Sequence, residues 1–260
     1  MALSQKDRRG YTIIAGVVVV LAALLIASQQ FKPAKRDAMG CLSNEAPSST
    51  VILLDQSEGV PIQTSQEIER RVLKFITKEV ATDGRVSLYA VSDSSSNALM
   101  ALYEGCKPPS SGNDITNSNK AIKARFESQF MGKVRSALKK KYKESATSPI
   151  AQAISDLSVS QDLRAPANNL IIFSDLMENS PALNIYDCSA GQGPIKTYRS
   201  NNAGAIERPS FGNVSVYIHM IPRRGLAQST LQCRDRFWNW FLGNRPGQQA
   251  GFYPNNPLPG

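Results

Sequence analysis

The chain has 260 residues and a mass of 28.3 kDa, which suits one ordinary domain with a short appendage. Its residues are 42% hydrophobic and 20% charged, and this excludes wholesale disorder and collagen-like repeats. The formal net charge of +9 favours acidic partners or an anionic membrane surface. The single histidine, His219, excludes His-rich metal sites and argues against nucleophile chemistry that needs a histidine base.

The N-terminal part contains one long uncharged run. No charged residue occurs over 10–31, and nearly all of 11–27 is apolar. A helix of about 20 apolar residues is long enough to cross a hydrocarbon core of roughly 30 Å. We therefore predict a transmembrane helix over 11–31, preceded by a short tail over 1–10. A buried core helix and a cleaved signal peptide are the alternatives.

The charges beside this run leave its orientation open, because three basic residues precede it and three follow it. All four cysteines lie beyond it, and none belongs to a Cys-x-x-Cys pair. Two disulfides in an oxidising compartment explain an even number of cysteines, although four buried free thiols remain an alternative. We expect a single-pass plasma (inner) membrane protein with a cytoplasmic N-terminus. Its body is expected outside the cytoplasm, in the periplasm of a bacterial envelope.

After a Pro/Ser-rich stalk over 32–48, apolar runs of strand and helix type alternate. The run 51–54 ends at Asp55 and is typical of a strand buried on both faces. Thr64 and Glu67 have the spacing of a capping box, which predicts the start of a helix. Two apolar runs around a polar turn then predict a β-hairpin, over 86–91 and 98–103.

The second half continues this alternation. Thr147 and Ser148 precede Pro149 and predict the start of a helix, and the run 170–173 is a second buried strand that leads to Asp175. A third strand over 214–219 and a closing helix over 231–242 follow. Apolar residues four positions apart predict one further long helix, with the stripe Ile122, Phe126, Phe130, Val134 and Leu138.

These elements predict an open, mostly parallel, doubly wound α/β sheet of Rossmann-like type, with helices on both faces and one antiparallel edge strand. In such sheets, ligands bind outside the carboxyl ends of the strands. Asp55 and Asp175 are both expected at that edge. The Gly/Pro-rich tail over 243–260 is expected to be disordered.

Three ordered pieces of the chain resemble the von Willebrand factor A (vWA) domains over 49–242. The first strand leads to Asp55-Gln-Ser57-Glu-Gly59, which is similar to the Asp-x-Ser-x-Ser motif of that family. Thr147 opens a helix as the family's threonine does, and Ser174-Asp175 matches the Ser/Thr-Asp-Gly strand end. The resemblance implies a vWA fold in this part of the chain.

The resemblance also implies a metal-ion-dependent adhesion site (MIDAS), in which Mg²⁺ or Mn²⁺ joins the domain to a carboxylate of a protein partner. Its ligands would be Asp55, Ser57, Thr147 and Asp175, and oxygen ligands of this kind suit hard cations. Two departures from the motif count against a metal, because Gly59 removes one hydroxyl and Leu176 replaces the glycine after the aspartate. The alternative is a relict site in which both aspartates cap neighbouring turns.

The vWA topology also bears on the cysteines, for which three pairings exist. In that topology Cys41 and Cys106 lie at the bottom of the sheet, and Cys188 and Cys233 lie near its top. We therefore expect the disulfides Cys41–Cys106 and Cys188–Cys233. Because the stalk enters at the bottom, the edge with Asp55 and Asp175 should face away from the membrane.

The leading hypothesis for function is a non-enzymatic, membrane-anchored interaction or scaffold module of a membrane-associated complex. One alternative is a Mg-dependent hydrolase or nuclease that uses Asp55, Glu58 and Asp175. Another is an inert structural subunit. The basic run 139–143 suits a solvated helix end, so no specific nucleic-acid binding is expected.

Overall fold

A computed structural model describes this protein as two compact units, Met1–Arg36 and Asp37–Gly260. The second unit therefore begins before the predicted domain start at residue 49 and includes part of the predicted stalk. The residues that the structure describes are 5–30, 36–42, 47–94, 97–112, 118–140, 144–188, 193–203, 207–243, 252–253 and 258.

The first unit contains one long helix, α1 (Gln5–Gln30). The side chains described within it, those of 14–26, are all exposed. Among the described residues, no helix combines the length and the apolar character needed to span a membrane. The transmembrane helix predicted over 11–31 is thus not confirmed, although the apolar run is helical as expected.

The second unit is built on one six-stranded sheet. Its strand order is β3-β2-β1-β4-β5-β6, with β2 and β3 antiparallel and the other neighbouring pairs parallel. This confirms the predicted open, mostly parallel, doubly wound sheet with an antiparallel edge strand. The strands are β1 (Ser48–Leu54), β2 (Arg85–Ser94), β3 (Asn97–Cys106), β4 (Ala167–Ser174), β5 (Val214–Met220) and β6 (Phe252–Tyr253).

Helices cover both faces of this sheet, as alternating strands and helices require. The helices are α2 (Ile62–Lys78), α3 (Asn119–Arg125), α4 (Gly132–Lys139), α5 (Ile150–Val159), α6 (Pro194–Asn201) and α7 (Gln228–Leu242). One apolar core joins α5, α6 and α7 to the sheet, and a second joins α2 and α4 to the opposite face. The central strand β1 contributes to both cores, because its side chains alternate between the two faces.

The predicted long helix contains a π-helical segment, Phe126–Met131, between α3 and α4. A stripe that repeats every four residues drifts by about 40° per repeat on an α-helix of 3.6 residues per turn. The wider π turn reduces this drift. As a result, Phe126, Phe130 and Val134 are all buried against the sheet.

Two predictions about local structure are wrong. Thr64 is not the N-cap of α2, because the helix begins at Ile62 with no side-chain capping bond, and Thr64 is buried inside its first turn. The tail over 243–260 is not disordered throughout, because Phe252–Tyr253 pairs with β5 and Leu258 is buried in the second core. The other residues beyond 243 lie outside the described residues, as do 1–4, 31–35, 43–46 and 141–143.

The four cysteines form the two disulfides that were expected. Cys41 is bonded to Cys106, with their Cα atoms 4.9 Å apart, and Cys188 is bonded to Cys233 at a Cα–Cα distance of 6.4 Å. The first bond ties the segment before β1 to the end of the antiparallel β3. The second ties the long connection after β4 to the first turns of α7.

Candidate functional site

The carboxyl edge of the sheet brings the four predicted site residues together. Asp55 directly follows β1 and Asp175 directly follows β4, and these strands are neighbours in parallel register. Asp55, Ser57 and Asp175 line one shallow cleft of about 60 Å³. Ser57, Thr147 and Asp175 line a neighbouring cleft of about 20 Å³. The parallel topology therefore places distant parts of the chain around one site.

Asp55 is the centre of a hydroxyl network and is only 9% exposed. Its Oδ1 accepts hydrogen bonds from Ser57 Oγ at 2.7 Å and from Ser148 Oγ at 3.3 Å. The backbone N–H of Ser57 also donates to Oδ1 at 3.2 Å. Ser174 Oγ donates to Oδ2 at 2.7 Å. Because each carboxylate oxygen has about two lone-pair sites, these donors fully occupy Oδ1, whereas Oδ2, with one donor, keeps one site open.

Thr147 lines the site but does not bond to Asp55. Its backbone N–H donates to Ser145 Oγ at 3.0 Å, and its Oγ1 lies 3.5 Å from that same oxygen. The next residue, Ser148, reaches Asp55 instead, because Ser148 forms an isolated β-bridge with Asn179 that turns its side chain inward. Thr147 thus lines the cleft, and its role as a metal ligand stays a prediction.

Asp175 faces a different partner, the guanidinium of Arg223. The Nε atom of Arg223 lies 2.8 Å from Asp175 Oδ2, an ion-pair distance, although the N–H direction does not meet hydrogen-bond geometry. The other two nitrogens of Arg223 form a bidentate pair with Glu58, and one of them also contacts the hydroxyl of Tyr186. One cation thus bridges two carboxylates at the rim of the cleft.

The electrostatics of this edge follow from burial and close carboxylates. Burial and, to a smaller extent, the negative charge of Asp55 raise the pKa of Asp175 to about 6, although the N–H of Met177 and the charge of Arg223 oppose the rise. The pKa of Arg223 is raised, chiefly by its hydrogen bonds to Glu58. The guanidinium is therefore a permanent cation of this site.

Leu176 occupies the position where the vWA motif has glycine. Its φ is 59°, a left-handed conformation that costs an L-residue with a Cβ roughly 1–2 kcal/mol. Three contacts hold it: its N–H donates to Ser174 Oγ at 2.8 Å, its carbonyl accepts from Trp238 Nε1 at 2.7 Å, and its side chain is buried in the core. The backbone turn that favours glycine is thus kept by a leucine.

Glu178 is a second acidic side chain behind the site, and only 1% of it is exposed. Its carboxylate accepts from the N–H of Ala151 at 2.8 Å and from the N–H of Ile150. It therefore caps the N-terminus of α5, where Pro149 supplies no side-chain bond. Burial raises the pKa of Glu178 to about 8.

The sequence analysis gave no site role to Ser148 and Ser174, which it named only as parts of motifs, and it did not name Arg223 or Glu178. Signals for two of them were present, since Ser174 stands directly before Asp175 and Arg223 follows the third parallel strand at the same edge. The carboxyl end of β5 therefore carries the same positional signal as the ends of β1 and β4. Glu178 carries no comparable signal, because its burial depends on packing against α5.

The residues present do not fit a divalent metal in this arrangement. The oxygens are of the right chemical kind, but three protein donors already occupy Asp55 Oδ1 and one occupies Oδ2. Asp175 is paired with Arg223, so its negative charge is already compensated. Within the described part of the chain, no group of three or more His, Cys, Asp or Glu side chains is arranged to hold a metal ion.

Comparisons with known proteins add little to this description. No family model matches the chain, and no curated protein matches it in sequence. Similar solved structures include the ArnB paralog VWA2 from Sulfolobus acidocaldarius (15% identity, 70% of this chain and 36% of that one, TM-score 0.35). Another is the SpRpn10 VWA domain, with 14% identity over 73% of this chain and 81% of that one and a TM-score of 0.34. A third is the human COPII-coat protein Sec24c, with 11% identity over 73% of this chain and 28% of that one and a TM-score of 0.30. The chain thus spans about a third of the length of the first of these, and at such TM-scores its fold rests on its own sheet topology.

Proposed function

We propose that this chain is a non-enzymatic interaction module with a vWA-like fold, and that it binds a protein partner through the carboxyl edge of its sheet. The observation that carries the proposal is the geometry of that edge. The two clefts that Asp175 lines hold about 20 and 60 Å³, far below the roughly 300–1,000 Å³ of small-molecule pockets. A neighbouring cavity of about 400 Å³ is lined by Gln56, Glu58 and Gly59 but by neither aspartate. Polar and charged side chains gathered over shallow clefts suit a protein surface better than an enclosed substrate.

An acidic partner fits the charge of the molecule. The formal net charge of the whole chain is +9, and Arg223 lines both clefts. A partner carboxylate would have to take the place of Glu58 at the guanidinium of Arg223, and the Glu58 side chain is 52% exposed. The 24 basic and 20 acidic residues of 37–260 give this unit a net charge of +4, which would also speed the encounter with an acidic partner.

Anchoring and location are part of the same proposal. The uncharged run over 10–31 supports a single membrane span. The bonded pairs Cys41–Cys106 and Cys188–Cys233 support a body outside the cytoplasm, because disulfides persist in oxidising compartments. The proposed arrangement is an inner-membrane protein whose body stands in the periplasm.

Catalysis is the weaker alternative. A Mg-dependent hydrolase or nuclease would need Asp55, Glu58 and Asp175 to converge on a metal, whereas Arg223 already holds Glu58 and Asp175. Turnover of a phosphomonoester or of DNA in the presence of Mg²⁺, lost in Asp175→Asn, would revive this alternative. We expect no turnover above that of the Asp175→Asn variant.

Site-specific photo-crosslinking in the native membrane tests the interaction surface. A photo-reactive residue replaces Ala146, which is exposed and lines the smaller cleft. A matched control replaces Thr82, which is exposed before β2 at the opposite edge of the sheet. We expect a discrete adduct from position 146 that Asp175→Asn weakens, and none from position 82. Equal adducts from both positions, or an adduct from position 82 alone, would contradict the proposal.

A further inference from the structure

We propose that the guanidinium of Arg223 takes the place of the divalent cation at this site, so that the carboxyl edge of the sheet works without a metal. The inference rests on the contacts of Arg223 and does not depend on the proposed function. It also defines a latent metal site, which removal of the guanidinium should expose.

Arg223 is held in place by the fold. It follows β5, and the N–H of Ile221 donates to the carbonyl of Ser174 at 3.0 Å, which ties this segment to the end of β4. Pro222 restricts the backbone between Ile221 and Arg223. The Arg223 side chain is only 26% exposed and lies 5.9 Å from the centre of the Tyr186 ring. These contacts leave the guanidinium little freedom to move away from the cleft.

The guanidinium already performs the electrostatic task of a cation. Its Nε lies 2.8 Å from Asp175 Oδ2, and its other two nitrogens bind both oxygens of Glu58. A planar fork of donors suits this bridging of two carboxylates. Asp55, Glu58 and Asp175 together carry three negative charges at this edge, and without Arg223 the last two would repel each other across the cleft.

A divalent cation and Arg223 cannot both occupy this position. A metal bound to Asp175 Oδ2 would lie within a few ångströms of the guanidinium carbon, and two cations at that distance in a partly buried site repel strongly. Gly59 also lacks the hydroxyl of the motif, so a metal would have one ligand fewer at this site and would bind less strongly. The metal that the motif implies and the guanidinium of Arg223 are thus alternative cations for one position.

Titration of Mn²⁺ into the full chain in detergent, followed by the electron paramagnetic resonance signal of free Mn²⁺, tests this inference. We expect wild type to bind no stoichiometric Mn²⁺ at millimolar concentrations. Arg223→Gln should gain one site per chain, with an affinity higher than that of wild type by roughly tenfold or more. Arg224→Gln removes the same charge from the neighbouring residue and should stay like wild type. The double variant Arg223→Gln with Asp175→Asn should lose the gained site.

Two results would overturn the inference. One is a stoichiometric Mn²⁺ site in wild type as tight as that in Arg223→Gln, because the guanidinium would then not exclude the metal. The other is no gain in Arg223→Gln that keeps the near-ultraviolet circular dichroism of wild type. If that variant does not fold, Arg223→Met, which also removes the positive charge, decides in its place and should show the same gain. Absence of any gain in a folded Arg223→Met variant would equally overturn the inference.

Discussion

Replacement of Asp55 by alanine should destabilise the domain, because this carboxylate supports three hydroxyl groups. Ser57, Ser148 and Ser174 all donate to it. Ser148 and Ser174 are buried, so their hydroxyls would lose a partner without gaining water. Asp55→Ala therefore removes a structural centre as well as a candidate ligand.

The size of the loss follows from these contacts. A hydrogen bond to a charged group contributes about 1.5–3 kcal/mol, but bonds that share one acceptor are not additive. Removal of the negative charge of Asp55 also relieves its repulsion of Asp175. We expect a net loss of about 3–5 kcal/mol in the free energy of unfolding. At roughly 2–4 °C per kcal/mol for a domain of this size, the melting temperature should fall by about 6–20 °C.

Urea denaturation of the compact unit Asp37–Gly260, followed by circular dichroism, measures this loss. Asp235→Ala is the matched control, because the Asp235 side chain is 59% exposed and its pair with Arg234 lies on the surface. Such a pair contributes at most about 1 kcal/mol. A loss in Asp55→Ala no larger than that in Asp235→Ala would refute the hydroxyl network. A large loss would mean that Asp175→Asn is the safer variant for binding studies.

Three further predictions concern stability. The pKa of Glu178, raised to about 8 by burial, lies above its value in the unfolded chain, so the stability that this group contributes at low pH is lost as the pH rises through 8. Urea denaturation at pH 6 and pH 9 should show that the free energy of unfolding falls more in wild type than in Glu178→Gln. Equal falls would contradict the raised pKa of Glu178. Replacement of Cys41 and Cys106 by alanine opens a loop of 65 residues and should cost about 4 kcal/mol, whereas a melting temperature equal to that of wild type would argue against the bond. Trp238→Phe removes the bond to the Leu176 carbonyl and should cost about 1–2 kcal/mol, and an unchanged denaturation midpoint would show that the bond does not stabilise that turn.

The main elements of the fold could be predicted because their signals are local. The apolar run that ends at Asp55 forms β1, and the run before Asp175 forms β4. Both are buried on two faces, which requires an uninterrupted apolar stretch that is visible in the sequence. The start of α2 was predicted wrongly at Thr64, because a capping box is a weak local preference that the packing of the helix overrides.

The sequence by itself determined which residues can serve at the site, and only the tertiary structure decided what they contact. Asp55 and Asp175 are recognisable because each follows a buried strand, a property of the adjacent residues alone. Arg223 also follows a parallel strand, but its pairing with Asp175 involves a distant segment and cannot be recognised from adjacent residues, and Glu178 carries no such signal. The position of a side chain at a strand end follows from local pattern, whereas its charge environment depends on which other strand ends and helices the topology places within a few ångströms. For that reason a metal could be predicted from the motif, while the arginine that compensates the same carboxylate became visible only in three dimensions.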